Sequence, residues 1–163
     1  MRVLIVEDDA IISMHLAMLV AELGHEVCAT AATAAGAIVL ASAHNPDVVL
    51  MDIRLARGGS GIDAARDLHA KQARRCIFLS ANLDEPTRTA LLPYEPIAFV
   101  GKPVLPVVLQ RALKKAKGLT PLRSRARQAG SNAGQEPKGK SEPVDQVFLR
   151  TRASTFSPTF SSA

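Results

Sequence analysis

The chain has 163 residues, 47% of them hydrophobic, which is enough for one domain with its own core. No apolar run approaches the ~18 residues of a membrane span. The first apolar run leads straight into Glu7, Asp8 and Asp9, so no signal peptide opens the sequence. From these features we expect neither a membrane span nor a signal peptide, and a soluble, cytoplasmic protein. Cys28 and Cys76 fit no metal-binding spacing and are predicted to be reduced thiols in or near the core.

The net charge of +5 is unevenly distributed along the chain. Residues 1–117 contain 13 Lys and Arg against 12 Asp and Glu, whereas residues 118–163 contain 7 against 3. The first part therefore lacks the bulk positive charge of a nucleic-acid-binding domain. The second part is rich in Gly, Pro and Ser and cannot bury enough apolar area to offset its ordering entropy. We predict a domain over residues 1–118 and a basic, disordered tail over residues 119–163.

Strand-like and helix-like patterns alternate five times along the predicted domain. Apolar and β-branched runs predict strands over residues 2–6, 26–29, 48–52, 75–79 and 97–100. Helices are predicted from an Asp9 cap to Gly24, from a Thr33 cap to Ala43, over 61–70, from an Asp84 cap to Pro93, and over 104–117.

Two of these helices carry more detailed predictions. Gly24 is expected to end the first helix in the left-handed conformation. The last helix is expected to carry one apolar face, made of Leu105, Val108, Leu109, Ala112 and Leu113. The alternation of strands and helices predicts a doubly wound, flavodoxin-like α/β fold with five helices around a five-stranded parallel sheet in the order 2-1-3-4-5.

Polar residues stand at the carboxyl ends of the predicted strands, where ligands bind in folds of this class. They are Glu7 and Asp8, then Asp52, Ser80 and Lys102. Three converging carboxylates repel one another unless a cation binds them, and hard oxygen ligands suit Mg²⁺. A lysine and a hydroxyl beside such a metal favour phosphoryl transfer. Asp52 ends the central strand, Val48–Asp52, and is the natural nucleophile of this group.

Four segments carrying these residues resemble the receiver domain of two-component response regulators, over about residues 1–118. The segments are Leu4-Ile5-Val6-Glu7-Asp8-Asp9, Val49-Leu50-Met51-Asp52, Leu79-Ser80-Ala81 and Phe99-Val100-Gly101-Lys102-Pro103. The resemblance implies that Asp52 is the phosphoacceptor and that Ser80 and Lys102 hold the phosphoryl group. It implies Mg²⁺ binding by Asp8, Asp52, the main-chain carbonyl of Arg54 and, through water, Glu7. It also implies a cis peptide between Lys102 and Pro103.

The resemblance further implies how a signal enters and leaves the chain. The donor would be a sensor histidine kinase or a histidine phosphotransfer protein. Ser80 and Phe99 would form the switch, and a downstream protein would bind the face made by the fourth helix, fifth strand and fifth helix. The chain would not be an enzyme beyond catalysing its own phosphotransfer and dephosphorylation.

The sequence departs from the family pattern in places, including an unusual Pro93-Tyr94-Glu95-Pro96 before the fifth strand, and leaves alternatives open. The loop after Asp52 lacks the usual proline and is about one residue longer, and Phe99 has no hydroxyl for a hydrogen-bonded switch. The main alternative is a degenerate receiver that acts as a phosphorylation-independent interaction module. A flavodoxin-like nucleotide site would be repelled by the acidic residues after the first strand. A nucleophilic-Asp phosphatase would need an acid at Arg54, and a nucleic-acid-binding tail would bind independently of Asp52.

Overall fold

The computed structural model of the protein describes residues 1–55 and 59–119. Its elements are β1 (Arg2–Val6), α1 (Ala10–Glu22), β2 (Glu26–Ala31), α2 (Ala34–His44), β3 (Val48–Asp52), α3 (Gly61–Gln72), β4 (Cys76–Ser80), α4 (Glu85–Leu91), a 3₁₀ turn (Leu92–Tyr94), β5 (Ala98–Gly101) and α5 (Pro106–Lys117). The predicted tail, beyond its first residue, and the middle of the loop after Asp52 lie outside the described residues. Across the described part of the chain, no helix combines the length and hydrophobicity that crossing a membrane requires.

The predicted sheet is confirmed, with five parallel strands in the order β2-β1-β3-β4-β5. All five residues of β3 are buried, as expected for a central strand covered on both faces. The register pairs Asp52 with Leu79 and Ser80 with Gly101. The last residues of the three strands β3, β4 and β5 therefore lie along one edge of the sheet.

Alternate strand residues build a separate core on each face of the sheet. On one face, residues such as Ile5 and Leu50 pack against α1 and α5. On the other face, residues such as Met51 and Phe78 pack against α2, α3 and Leu91 of α4. Because helices cover both faces of the sheet, β3 is enclosed in its middle. The carboxyl end of β3 lies at the edge where the loops that follow the strands begin.

The predicted helix caps are confirmed. The Asp9 side chain accepts hydrogen bonds from the backbone N–H groups of Ile11 and Ile12, at 2.8 and 3.0 Å. Thr33 and Asp84 cap α2 and α4 in the same way, at 3.1 and 2.9 Å. Gly24 follows α1 with a φ of +76°, the left-handed conformation that glycine adopts without strain.

Several predicted boundaries differ from the structure. Helix α3 ends at Gln72, two residues later than predicted, β4 and β5 each lie one residue later, and α4 ends at Leu91, before Pro93. Two further differences have a clear structural reason. Strand β2 continues two residues further than predicted, because Ala31 pairs with Val6 and its carbonyl accepts a hydrogen bond from the Glu7 N–H at 2.9 Å. Helix α5 begins at Pro106 rather than at residue 104, because Pro106 starts a helix well and Leu105 before it adopts the extended N-cap conformation. Leu105 is consequently 55% exposed and does not share the buried face of α5.

Candidate functional site

Three carboxylates meet at the carboxyl edge of the sheet. Asp52 is the last residue of β3 and is only 7% exposed, and Glu7 directly follows β1 and is 3% exposed. Asp8 stands next to Glu7 and is partly exposed. One oxygen atom from each of Glu7, Asp8 and Asp52 lies within 4.8 Å of the others. We call these three residues the acidic cluster.

Lys102 joins the acidic cluster from the loop after β5. Its ammonium Nζ donates hydrogen bonds to Glu7 Oε2 at 2.7 Å and to Asp52 Oδ2 at 2.8 Å. Its backbone N–H donates to the Ser80 carbonyl at 2.9 Å, which fixes the start of the loop against β4. The next peptide bond, between Lys102 and Pro103, is cis, as the resemblance implied.

Burial and pairing shift the pKa values of two residues of this site in the same direction. Burial raises the pKa of the Glu7 carboxyl, the Lys102 hydrogen bond opposes this, and the Asp52 charge adds to it, so the net shift is upward. Burial by itself would lower the pKa of Lys102, but hydrogen bonds to Asp52 and Glu7 outweigh it, and the pKa is raised. Lys102 therefore stays positively charged in this site.

The charges of the site suit a divalent cation. When ionised, the three carboxylates of the acidic cluster carry three negative charges, and the Lys102 ammonium compensates one of them. The remaining two negative charges lie close together in partly buried surroundings, where repulsion is costly. All the clustered ligand atoms are carboxylate oxygens, which Mg²⁺ prefers to nitrogen or sulfur ligands.

Hydrogen bonds of the backbone that follows β3 fix the position of Asp52. The Arg54 N–H donates to Asp52 Oδ1 at 3.3 Å, and the Ile53 N–H donates to the Leu79 carbonyl at 3.1 Å. Gly61, the first residue of α3, donates its N–H to the Ile53 carbonyl at 3.0 Å. A Cβ at Gly61 would lie 2.0 Å from the Asp52 carbonyl oxygen, so this approach requires glycine. Sequence reasoning missed this role and treated Gly61 only as a helix start.

Ser80 is buried at the end of β4, one residue beyond the partner of Asp52 in the sheet. Its hydroxyl donates to the Asn82 carbonyl at 2.8 Å and accepts from the Asn82 N–H at 3.2 Å. Sequence reasoning also missed Asn82. It bonds Ser80 through main-chain atoms, which every residue type has, so its side chain gives no indication of the contact. The Ser80 hydroxyl thus already has a partner, which any phosphoryl group would have to displace.

Phe99 lies on β5, away from the acidic cluster along the sheet. Its ring stacks against Phe78, with 5.8 Å between the ring centroids and 23° between the ring planes. The guanidinium carbon of Arg88, on α4, lies 5.0 Å from the Phe99 ring centroid. The structure therefore places the two predicted switch residues, Ser80 and Phe99, on the neighbouring strands β4 and β5.

Residues 3–114 match the family model of the response regulator receiver domain. The chain is 37% identical over 116 residues to the phyllosphere-induced regulator PhyR of Methylorubrum extorquens, covering 71% of this chain and 43% of that protein. It is 41% identical over 80 residues to the transcriptional regulatory protein PdtaR of Mycobacterium tuberculosis, covering 49% of this chain and 38% of that protein. The chain thus spans about two fifths of the length of these two relatives.

A solved structure shows the same likeness. The solution structure of the receiver domain of PhyR from Erythrobacter litoralis is 38% identical, with a TM-score of 0.61, covering 71% of this chain and 88% of that one. The sheet order, the acidic edge and the family model agree with one another over the same residues. The chain therefore belongs to the response regulator receiver domain family.

Proposed function

We propose that this chain is a working phosphoacceptor in a two-component phosphorelay. Asp52 accepts a phosphoryl group from a phosphohistidine on a sensor histidine kinase or a histidine phosphotransfer protein. The observation that carries the proposal is the hydrogen bond of 2.8 Å between Asp52 and the Lys102 ammonium within the acidic cluster, at the end of the central strand. Beyond catalysing its own phosphorylation and dephosphorylation, the chain has no enzymatic role in this proposal.

The residues that would hold Mg²⁺ are those of the acidic cluster, with Glu7 acting through water, together with the main-chain carbonyl of Arg54. When bound, the ion supplies positive charge to the oxygens of the transferring phosphoryl group. The excess negative charge of the cluster supports this assignment, because it suits a divalent cation.

The transfer step follows from the position of Asp52. A carboxylate oxygen of Asp52 attacks phosphorus, the phosphorus–nitrogen bond of the phosphohistidine breaks, and the electron pair stays on the imidazole nitrogen, which takes a proton from solvent. The Arg54 N–H and the Lys102 ammonium contact different oxygens of Asp52, at 3.3 and 2.8 Å, and so orient the carboxylate for attack. Lys102 also stays near enough to stabilise the charge of the transferred group.

The product carries a new anionic group beside Ser80 and Lys102. A phosphoryl group adds about −1.5 to −2 charges, with phosphoserine as a guide. The Ser80 hydroxyl can donate to a phosphoryl oxygen only after it leaves the Asn82 carbonyl. We propose that this exchange of hydrogen-bond acceptor by Ser80, together with a movement of the Phe99 side chain, alters the face formed by α4, β5 and α5. The altered face then binds a downstream protein differently. Water then attacks the phosphorus, the bond between phosphorus and the Asp52 oxygen breaks, inorganic phosphate leaves, and the restored Asp52 carboxylate ends the signal.

The test is the intact mass of the full chain after incubation with acetyl phosphate, or with phosphoramidate, which contains a phosphorus–nitrogen bond. We expect the wild type to gain one phosphoryl group in Mg²⁺ and none in EDTA, and Asp52→Asn to gain none. Asp63→Asn removes an exposed carboxylate of α3 and should behave as wild type. Phosphorylation of Asp52→Asn at the wild-type rate would refute the assignment. A wild type that accepts phosphate from neither donor nor a phosphorylated kinase would favour the degenerate interaction module.

A further inference from the structure

Arg88 links the Phe99 ring to the loop that follows Ser80. Its guanidinium carbon lies 5.0 Å from the Phe99 ring centroid, within the range of a cation–π interaction. Its Nε donates a long hydrogen bond of 3.4 Å to the Leu83 carbonyl. Leu83 belongs to residues 81–84, which connect β4 to α4 and which we call the β4–α4 loop. Arg88 thus contacts both an aromatic side chain on β5 and the backbone of this loop.

The other end of the β4–α4 loop is tied to Ser80. The Ser80 hydroxyl and the Asn82 backbone exchange two hydrogen bonds, of 2.8 and 3.2 Å. Ser80 and Phe78 lie two residues apart on one strand and so share a face of the sheet, and Phe78 stacks on Phe99. A continuous set of contacts therefore runs from Ser80 through the loop and Arg88 to Phe99.

We propose that Arg88 is a positioning residue of the conformational switch, which holds Phe99 against Phe78 in the unphosphorylated chain and releases it on phosphorylation. The proposal rests on the proposed function, because the release needs a phosphoryl group on Asp52. When the Ser80 hydroxyl turns to that group, the Asn82 carbonyl loses its donor and the β4–α4 loop can move. The Leu83 carbonyl moves with the loop, and the guanidinium loses the contact that holds it over the ring.

The strength of the contact between Arg88 and Phe99 determines how far it favours the unphosphorylated conformation of the switch. Phe99 and Arg88 are both partly exposed, so the interaction is of the weaker, partly solvated kind. Such an interaction biases a two-state equilibrium about two- to fivefold. Removing it should enrich the released conformation by the same factor without abolishing the fold.

The experiment measures hydrogen–deuterium exchange of residues 81–92 in the full chain, with and without phosphorylation by acetyl phosphate in Mg²⁺. We expect Arg88→Met to speed exchange about two- to fivefold in the unphosphorylated chain and to leave the phosphorylated chain unchanged. Arg88→Lys, which keeps a cation, should fall between Arg88→Met and wild type. The control Arg111→Met removes an exposed arginine from α5 and should change nothing. In a Phe99→Leu chain, Arg88→Met should add no further effect.

Four results would overturn the proposal. Equal acceleration in both phosphorylation states would mean that Arg88 only supports α4. The same acceleration in the Phe99→Leu chain would mean that Arg88 does not act through the ring. Intact mass separates the two proposals. A wild type that gains no phosphate from acetyl phosphate, phosphoramidate or a phosphorylated kinase removes both, whereas a phosphorylated wild type with an unresponsive Arg88→Met removes only the role of Arg88.

Discussion

The close approach of Gly61 to the end of β3 makes Gly61→Ala an informative substitution. A Cβ at this position would lie 2.0 Å from the carbonyl oxygen of Asp52 and 3.1 Å from the Cα of Ile53. Ordinary van der Waals contact begins at 3.4 Å, so the Asp52 carbonyl would have to move from 2.0 to at least 3.4 Å. The atoms in the way are backbone, and no side-chain rotation can relieve the clash.

The expected cost follows from this geometry. Overpacking a well-packed region costs ~1–3 kcal/mol. We expect Gly61→Ala to lie at the upper end, about 3 kcal/mol, because the displaced atoms belong to the central strand. That is a large fraction of the ~5–15 kcal/mol that stabilises a typical domain. The same displacement moves the residue that we propose as the phosphoacceptor, so phosphorylation by acetyl phosphate should also slow.

The assay is urea denaturation, comparing transition midpoints at constant slope. The matched control is Gly101→Ala, at the end of β5 beside Lys102, where an added Cβ would meet nothing within 4 Å. We expect Gly101→Ala to stay within about 0.5 kcal/mol of wild type. Equal stability of the two variants would refute the argument that Gly61 is required for the packing of Asp52.

Three further predictions concern the acidic cluster, a buried thiol and a histidine. Asp8→Asn removes one repelling charge and should raise the unfolding free energy in EDTA by about 1 kcal/mol, while abolishing any stabilisation by Mg²⁺; a loss of stability in EDTA would contradict this. Burial raises the pKa of the Cys76 thiol to about 12, so iodoacetamide at neutral pH should modify Cys76 only after unfolding, as mass spectrometry of native and denatured samples will show. Burial and the nearby amino terminus lower the pKa of His25 below 6.5, so the unfolded chain binds a proton that the folded chain does not, and stability falls as pH drops through 6.5. Thermal melts between pH 7 and 5 should show a shallower fall for His25→Gln but not for His15→Gln, whose side chain is exposed.

The fold could be predicted because its signals are local. The apolar run of β3 is typical of a strand buried on both faces, and the caps Asp9, Thr33 and Asp84 mark helix starts within four residues of themselves. The regular alternation of strands and helices then leaves few possible topologies. The prediction of β2 was wrong because the end of this strand depends on a neighbouring strand. Strand β2 extends to Ala31 only because β1 lies alongside it.

The sequence by itself determined which polar residues stand at the ends of the strands, because each is the last residue of its strand or follows it within two residues. Only the tertiary structure decided which of them touch. Lys102 meets Asp52 and Glu7 across 50 and 95 residues of chain, and Arg88 rather than a hydroxyl contacts the aromatic ring of β5. The distances between these side chains depend on how whole strands and helices pack against one another. A difference of about 1 Å in that packing decides whether two polar groups form a hydrogen bond.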